Sequence, residues 1–230
     1  MNKLIGNFIQ SNARVLDLGC GDSTLLNFLR KNKNVKGYGF EKDIKKVQES
    51  ISKNISVIQA DFNSGLEKYF DKNFFDYAVM TQALQENKNP DKIIIEMLRV
   101  AKEGIVTFPN MGFWKNRLQL GLLGKMPMSD SLPNNWFDTP NIHLCTFKDF
   151  EKLCDDLKIT IIEKMVLNSN YESNKLLSLF PNLFGEIAYN PNEYFTTKYN
   201  FSKKNNFKDT TYESIITTLN LGNFITSFDY

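Results

Sequence analysis

The sequence predicts an α/β protein with a doubly wound, mostly parallel β-sheet. Short apolar strand patterns alternate with helix-spaced apolar residues through the first half of the 230-residue chain, an order typical of parallel sheets. A glycine-containing turn follows the first strand, and Asp17, Glu41 and Asp61 stand near the ends of the first three strands. Because parallel strands end at one edge of a sheet, we expect these acidic side chains to lie close together.

Five strands can be placed in order before residue 109. Their patterns fall at residues 14–18, 35–40, 55–60, 75–80 and 105–108. Apolar residues at helical spacing follow the first strand at 25–29 and the second at 44–51. Pro90 suits the first turn of a third helix that runs to Val100, and Gly104 is expected to end it.

The second half of the sequence is less regular. Residues 109–146 are rich in Pro, Gly, Trp and Asn and predict a lid over the sheet edge, with one helix near 116–123. A helix is predicted at 147–157, a strand at 159–167 and a last strand at 183–189. We assign residues 1–190 to one domain. Residues 191–230 form a polar C-terminal tail in which the spacing of apolar residues from Tyr212 to Leu219 predicts a short amphipathic helix.

Composition excludes several classes of function. The formal net charge of +2 is too small to indicate a nucleic-acid partner. Three cysteines without pair spacing predict a reducing compartment rather than a disulfide framework. His143 is the single histidine, so no histidine-based metal site is expected. The sequence shows no leader pattern and no apolar run of membrane length, which predicts a cytoplasmic protein without membrane contact.

The turn after the first strand predicts a nucleotide-binding site. Residues 17–23 read DLGCGDS. A ligand can approach the backbone of Gly19, Cys20 and Gly21 closely, and the following helix start offers free N–H groups. Asp17 and Asp22 would repel a pyrophosphate but attract a ligand with an ammonium and a sulfonium group, which favours S-adenosyl-L-methionine. The alternative is a plain strand–helix turn in which Asp22, or the serine after it, caps the helix.

Further residues at strand ends support the same ligand. Glu41 comes 20 residues after Gly21, where a carboxylate can accept both ribose hydroxyls. Asp61 and Phe62 follow the third strand and suit the adenine amino group and ring face, and Gln82 follows the fourth strand as a ligand-positioning residue. From 14 to 189 the chain resembles the class I S-adenosylmethionine-dependent methyltransferases. The resemblance implies a Rossmann-like sheet of seven strands.

The residues after the fourth strand leave catalysis open. They lack the Asn/Asp-Pro-Pro-aromatic pattern of amino-group methylation, the Pro-Cys nucleophile of cytosine methylation and an acidic cluster for magnesium. Gln82 and Gln85 offer no proton acceptor there. Methyl transfer can nevertheless proceed largely by proximity and orientation, so the missing base does not exclude an enzyme.

A run of motifs after the fifth strand is more specific. Four of them read FPNMGFW at 108–114, RLQL at 117–120, GKMP at 124–127 and WFDTPNIHLCT at 136–146. With residues 15–20, 38–41, 57–61 and 178–189, they resemble the bacterial methionine biosynthesis proteins of the MetW family. The resemblance covers about the first 190 residues. It implies a role in methionine synthesis together with homoserine O-acyltransferase.

The predicted lid supplies candidates for a substrate or partner surface. These are Trp114, Arg117, Trp136 and Asp138, and His143 is a weak candidate for a catalytic base. Arg117 could bind a carboxylate, and the aromatic side chains, Phe137 among them, could either wall the ligand cleft or simply pack the lid.

Two functions remain open on the sequence alone. The leading hypothesis is an S-adenosylmethionine-binding accessory protein that supports homoserine O-acyltransferase. The alternative is an active S-adenosylmethionine-dependent methyltransferase acting on a small, carboxylate-bearing molecule. RNA modification is a third and weaker hypothesis, opposed by the near-neutral charge.

Overall fold

The structure is a computed structural model that describes residues 1–129, 132–161, 181–184 and 201–203. Its helices are α1 (Asn2–Phe8), α2 (Thr24–Lys33), α3 (Ile44–Ser52), α4 (Pro90–Val100), α5 (Trp114–Leu123), α6 (Phe147–Asp156) and α7 (Pro181–Phe184). Its strands are β1 (Arg14–Leu18), β2 (Lys36–Glu41), β3 (Ser56–Gln59), β4 (Phe75–Thr81), β5 (Ala101–Thr107), β6 (Ile159–Ile161) and β7 (Phe201–Lys203). Short 3₁₀ turns occur at Phe62–Ser64 and Leu84–Glu86. Within these residues no helix is long and apolar enough to cross a membrane.

Five strands form a parallel sheet in the order β3-β2-β1-β4-β5. β1 lies at its centre, where Val15 is paired with Gly37 of β2 and with Tyr77 of β4. The strand order reverses between β1 and β4, and ligands of such sheets bind at the carboxyl ends of the strands beside that reversal. The predicted doubly wound α/β class is confirmed.

Helices cover both faces of this sheet. Val15 and Val79 belong to a buried cluster with the leucines of α2, whereas their chain neighbours Leu16 and Met80 belong to a second cluster with α4 and α6. Adjacent strand residues point to opposite faces, so the central strands are buried on both sides. Each fully buried aliphatic side chain contributes about 1.5–3 kcal/mol. This core holds the carboxyl edge of the sheet in place.

The end of one helix and the presence of another differ from the sequence prediction. Gly104 does not end α4, because the helix ends at Val100 and Gly104 lies within β5 opposite Ala78. Val100 and Ala101 are both buried, so the helix passes directly into the strand without a glycine turn. The unpredicted helix α1 buries Ile5 in the cluster that contains α2.

The last two strands form an antiparallel pair near the β5 edge. Ile159 of β6 is paired with Lys203 of β7, and β7 also lies close to β5. The seven described strands are thus divided between two sheets. The predicted last strand at 183–189 is wrong at its start, because Leu183 lies in α7, where Pro181 provides a residue suited to a first helical turn. Residues 162–167, 185–189 and the predicted tail helix lie outside the described residues.

Ending the chain at Asn190 is expected to lower stability and to leave ligand binding intact. The truncation removes β7 and leaves β6 without its described partner, whereas the glycine turn follows β1 at the centre of the other sheet. We expect a lower thermal midpoint and an unchanged affinity for S-adenosylmethionine, measured by thermal unfolding and calorimetry. Loss of binding by a shortened chain that still unfolds cooperatively would show that the tail contributes to the ligand site.

Candidate functional site

The glycine turn packs tightly against the loop that follows β4. Gly19 and Gly21 have φ angles of +73° and +55°, a region that favours glycine. A Cβ atom placed on Gly19 would lie 2.9 Å from the Cβ of Ala83. The Gly19 N–H donates to the carbonyl oxygen of Phe40 at 2.8 Å. The turn is therefore held between the ends of β2 and β4, with no room for a side chain at Gly19.

Asp17 brings an unsatisfied carboxylate to this turn. Its side chain is 2% exposed, and Oδ1 is buried without a hydrogen-bond partner among the described residues. Burial raises the pKa of Asp17 to about 7, and the negative charge of Glu41 adds to the increase. Buried carboxylates are costly without a donor or a cation nearby. The turn thus presents a group that a positively charged ligand would stabilise.

Glu41 joins the end of β2 to the glycine turn. Its Oε2 accepts the Gly21 N–H at 2.9 Å, and its Oε1 accepts the N–H groups of Lys42 and Asp43, both at 2.9 Å. An ionised carboxylate offers about four acceptor positions. The described contacts use three of them, so an acceptor position on Oε2 remains open for a ligand hydroxyl.

Asp61 and Phe62 lie at the end of β3 as predicted. Asp61 is exposed, and its Oδ1 accepts the backbone N–H and the side-chain amide of Asn63 at 2.8 and 2.7 Å. Phe62 is half-buried, and its ring lies 3.8 Å from the position of a Cβ at Gly19. The aromatic ring therefore borders the glycine turn, where a flat ligand ring could stack on it.

The carboxylate of Asp22 is bonded to other residues of the protein. Its Oδ2 lies 2.6 Å from the Lys53 ammonium, and its carboxylate also accepts the backbone N–H and the hydroxyl of Thr24. Asp22 thus bonds the first residue of α2, whereas Ser23, the N-cap residue of this helix, makes no side-chain capping bond. Of the two acids that flank the turn, Asp17 is therefore the one with a buried carboxylate oxygen that lacks a described partner.

Cys20 has a packing role in the turn. Its Sγ accepts a hydrogen bond from the Ser23 hydroxyl at 3.3 Å. Burial raises the pKa of the Cys20 thiol to about 12, with Asp17 adding to the increase. The thiol therefore stays protonated and is no nucleophile.

Gln82 marks the carboxyl end of β4 with an unusual backbone conformation. Its φ angle of +60° lies in the left-handed region, which costs energy for a residue with a side chain. The Gln82 N–H donates to the carbonyl oxygen of Thr107 in β5 at 3.0 Å. The bond holds this bend at the edge where the glycine turn also lies.

Gln85 connects the β4 loop to the predicted lid. Its side-chain Nε2 donates to the carbonyl oxygen of Pro109 at 3.2 Å and to the Sγ of Cys145 at 3.4 Å. Its main-chain oxygen accepts the N–H groups of Ile142 and His143 at 2.9 and 3.1 Å. The sequence shows Gln85 only as a neutral residue after β4, since these partners lie 24 to 60 residues away.

A cavity of about 140 Å³ lies beside Gln85. His143 lines it but is exposed, and burial raises the pKa of the Cys145 thiol to about 11. The Oε1 of Gln85 is buried without a partner among the described residues. The remaining lining residues are Leu84, Pro90, Cys145, Asp149, Phe150 and Leu153.

Arg117 of the predicted lid is turned toward the protein. Its Nε donates to the carbonyl oxygen of Gly112 at 2.6 Å, and its Nη2 lies 3.5 Å from the carbonyl oxygen of Asn182. These bonds fix the start of α5 and connect it to α7. The predicted binding of a ligand carboxylate would have to compete with them.

Three aromatic residues of the lid are exposed to solvent, whereas Phe113 is buried. Trp136 and Phe137 are 73% and 71% exposed, and Trp114 is 37% exposed. Asp138 is also exposed, and its N–H donates to the carbonyl oxygen of Asn135 at 3.0 Å. In the described structure Trp136 and Phe137 are therefore neither a buried wall of the ligand cleft nor a packed lid core.

Comparison with known protein families shows which family this chain belongs to. Residues 2–190 match the family described as methionine biosynthesis protein MetW. The chain belongs to the MetW family. The match ends at residue 190, the last residue of the predicted domain, and it includes the glycine turn, the strand-end acids and the whole α5 segment.

One curated relative contains a MetW region within a longer protein. It is the bifunctional methionine biosynthesis protein MetXA/MetW of Rhodopirellula baltica, which is 30% identical over 166 residues. The match covers 68% of this chain but 26% of that protein. The chain therefore spans about a quarter of the length of this bifunctional relative.

Solved structures confirm the methyltransferase-like fold. An S-adenosylmethionine-dependent methyltransferase from Aquifex aeolicus has a TM-score of 0.55 at 16% identity, covering 86% of this chain and 87% of its own. A second, from Thermotoga maritima, has a TM-score of 0.57 at 12% identity and covers 88% and 87%. The cyclase SpnF also matches, with a TM-score of 0.54, 18% identity and coverage of 74% and 60%. One fold thus serves more than one chemistry, so the MetW fold alone does not define a reaction.

Proposed function

We propose that this MetW protein binds S-adenosylmethionine at the turn after β1 and supports homoserine O-acyltransferase in methionine biosynthesis. Its ligand is made from methionine, so binding it would let the output of the pathway act on an early step. Such coupling requires the ligand to favour one state of the protein or of its complex.

The observation that carries the proposal is the carboxylate of Asp17. A buried acid with an unpartnered oxygen and a pKa raised to about 7 is unfavourable in the ligand-free protein. It becomes favourable when a cation or a strong donor is placed beside it. S-adenosylmethionine carries an ammonium and a sulfonium group, whereas a nicotinamide dinucleotide would bring a negatively charged pyrophosphate to the same turn.

The neighbouring residues fit the rest of this cofactor. The free acceptor position of Glu41 suits a ribose hydroxyl, and the ring of Phe62 borders the turn where an adenine could stack. Gly21, where an added Cβ would meet nothing within 4 Å, leaves the turn open to close approach. When bound, S-adenosylmethionine would supply a methyl group on a positively charged sulfur.

Two observations favour an accessory role. The MetXA/MetW relative joins two methionine-biosynthesis functions in one chain, which supports a physical association of the corresponding proteins here. Among the described residues that follow β4, Gln82 and Gln85 cannot accept a proton from a substrate, and the one carboxylate of this loop, Glu86, is exposed to solvent. The site is thus better suited to ligand binding than to acid–base chemistry.

Titration of the full chain by calorimetry tests the cofactor half of the proposal. We expect S-adenosylmethionine and its demethylated product to bind in the micromolar range, since both carry the ammonium group, and we expect no binding of NAD. A protein that binds NAD and ignores both adenosyl ligands would refute the assignment of the turn.

Replacing Glu41 is expected to weaken S-adenosylmethionine binding by about 1–3 kcal/mol, the cost of leaving a buried hydroxyl without its acceptor. Glu41→Ala also removes the acceptor of the Gly21 N–H, whereas Glu41→Gln keeps one oxygen at this position. Both variants should bind more weakly in calorimetry, with Glu41→Ala affected more. Glu49→Gln, which changes an exposed carboxylate on α3, is the matched control. Wild-type affinity in Glu41→Ala would show that the end of β2 does not contact the ligand.

The cavity beside Gln85 favours a second candidate function, an active methyltransferase on a small molecule. Its volume of about 140 Å³ is close to that of cavities that bind benzene-sized molecules. Incubating the chain with methyl-labelled S-adenosylmethionine and a small-molecule cell extract tests this candidate. This function would be supported if a small product carries the label with the wild-type chain but not with Leu153→Trp, because that substitution fills the cavity.

A further inference from the structure

Helix α5 buries a polar residue, Asn116, against the protein and exposes apolar side chains to solvent. Asn116 is 2% exposed, and its Nδ2 donates to the carbonyl oxygen of Asn110 at 3.2 Å. The Gln119 side chain exchanges two hydrogen bonds with the backbone of Met128, both at 3.0 Å. Polar contacts therefore anchor this helix. In a surface helix the stripe facing the protein is normally apolar.

The opposite face of α5 is apolar. Trp114, Leu118 and Leu122 are spaced four residues apart, which places them on one side of the helix. They are 37%, 46% and 77% exposed. Leu120 and Leu123 are also exposed, by 52% and 66%, but they project on the side of the helix that carries Asn116. We call Trp114, Leu118 and Leu122 the α5 surface.

The exposure is concentrated in one part of the chain. Among the described residues 14 large apolar side chains are exposed, and 11 of them lie between Trp114 and Leu144. Single exposed apolar residues are ordinary, but a concentration of this size marks an interaction site. We therefore expect another protein surface to pack against the α5 surface.

The charges around α5 indicate what covers it. From 110 to 129 the chain contains three basic residues, Lys115, Arg117 and Lys125, and no acidic residue. Interfaces commonly combine an apolar centre with a polar rim of complementary charge. The partner that fits is a protein surface with an apolar centre and acidic side chains around it.

We propose that the α5 surface is the docking site for homoserine O-acyltransferase. This inference rests on the partner named in the proposed function and adds the surface that holds it. α5 follows β5 after a short loop, and Arg117 and Asn116 bond that loop at Gly112 and Asn110. A partner seated on α5 therefore touches an element fixed to the sheet edge that carries the glycine turn. This connection gives the cofactor a route by which to affect the acyltransferase.

Aspartate substitutions on the α5 surface test the proposal. Leu118→Asp and Leu122→Asp, made separately in the full chain, should each weaken association with the purified acyltransferase by about tenfold or more, as loss of an interface anchor does. Association is measured by calorimetry and sedimentation. Both variants should keep wild-type affinity for S-adenosylmethionine. Ile51→Asp is the matched control, because Ile51 is 58% exposed on α3, away from α5.

Each contrary result points to a different error. Wild-type association of both leucine variants would overturn the docking surface and leave the proposed function intact, whereas no association of the wild-type chain would overturn both. A wild-type dimer that Leu122→Asp converts to a monomer would show that a second copy covers α5. The proposal would also be wrong if the chain's own C-terminal tail covers α5. In that case Leu122→Asp would destabilise the full chain but not a chain that ends at Asn190.

Discussion

Replacing Asp17 with Asn is expected to weaken S-adenosylmethionine binding at pH 8 by about ten- to a hundredfold and, at the same time, to stabilise the ligand-free protein. The loss of affinity corresponds to a hydrogen bond to a charged group, about 1.5–3 kcal/mol. The gain in stability arises because Asp17 is buried without a partner for Oδ1. Its pKa lies at about 7 in the folded chain against 3.8 for the free group, a penalty of about 4 kcal/mol when it is ionised. An unpaired buried amide offsets about 1–3 kcal/mol of that gain.

The pH dependence provides an independent measurement of the same group. Between about pH 4 and pH 7 the folded chain holds a proton on Asp17 that the unfolded chain has lost. Its contribution to the free energy of unfolding therefore falls as the pH rises through this window and is constant above it. Asp17→Asn should lack this component in denaturant titrations between pH 5 and pH 8.5. Affinity for the cationic ligand should rise with pH up to about 7 in the wild type only.

Asp76→Asn is the matched control for Asp17→Asn. Asp76 also lies in a central strand, but at the opposite edge, and its carboxylate accepts the Arg14 N–H at 2.9 Å and pairs with Lys102 at 2.8 Å. The hydrogen bond from Arg14 and the bond from Lys102 lower its pKa, so this substitution should destabilise the protein and leave ligand affinity unchanged. If Asp17→Asn binds as tightly as the wild type, the central observation of the proposed function fails.

The parts of the fold that sequence could predict are those set by local pattern. The strand before Gly19 and the helix after it follow from apolar spacing, and the glycines mark the turn between them. Asp17 and Glu41 lie close enough for their charges to interact because β1 and β2 are neighbouring parallel strands, which the alternation with helices already indicates. The prediction that Gly104 ends a helix was wrong, because a glycine fits inside a strand as well as after a helix. Val100 and Ala101 are both buried, and the helix ends at Val100 directly before the strand begins at Ala101.

The remaining features depend on contacts between distant parts of the chain. β7 is three residues long in a polar stretch and is defined by its pairing with β6. Gln85 and Arg117 are read from sequence as a neutral side chain and a free cation, but their described partners are carbonyl groups brought near by folding. The exposure of Trp114, Leu118 and Leu122 on α5 is equally invisible in its sequence, because a stripe of apolar residues normally predicts the buried face.

Omitting this chain from a reconstituted assay is expected to lower the rate of homoserine acylation by about fivefold or more, the lower limit of typical coupling between sites. The assay contains the purified acyltransferase, homoserine and the acyl donor, with or without the full chain and S-adenosylmethionine. The ligand should change the rate only when the chain is present, since the proposal places its binding site on this protein.

Two variants separate the steps of this coupling. Asp17→Asn should still associate with the acyltransferase but should lose the response to the ligand, because the lost carboxylate is needed for ligand binding and lies apart from α5. Leu122→Asp should bind the ligand normally but fail to change the acylation rate, because its side chain belongs to the α5 surface. If acylation proceeds at full rate without the chain, and label from S-adenosylmethionine appears in a small molecule when the chain is present, the accessory role is wrong. The cavity beside Gln85 then becomes the site of a methyltransferase reaction.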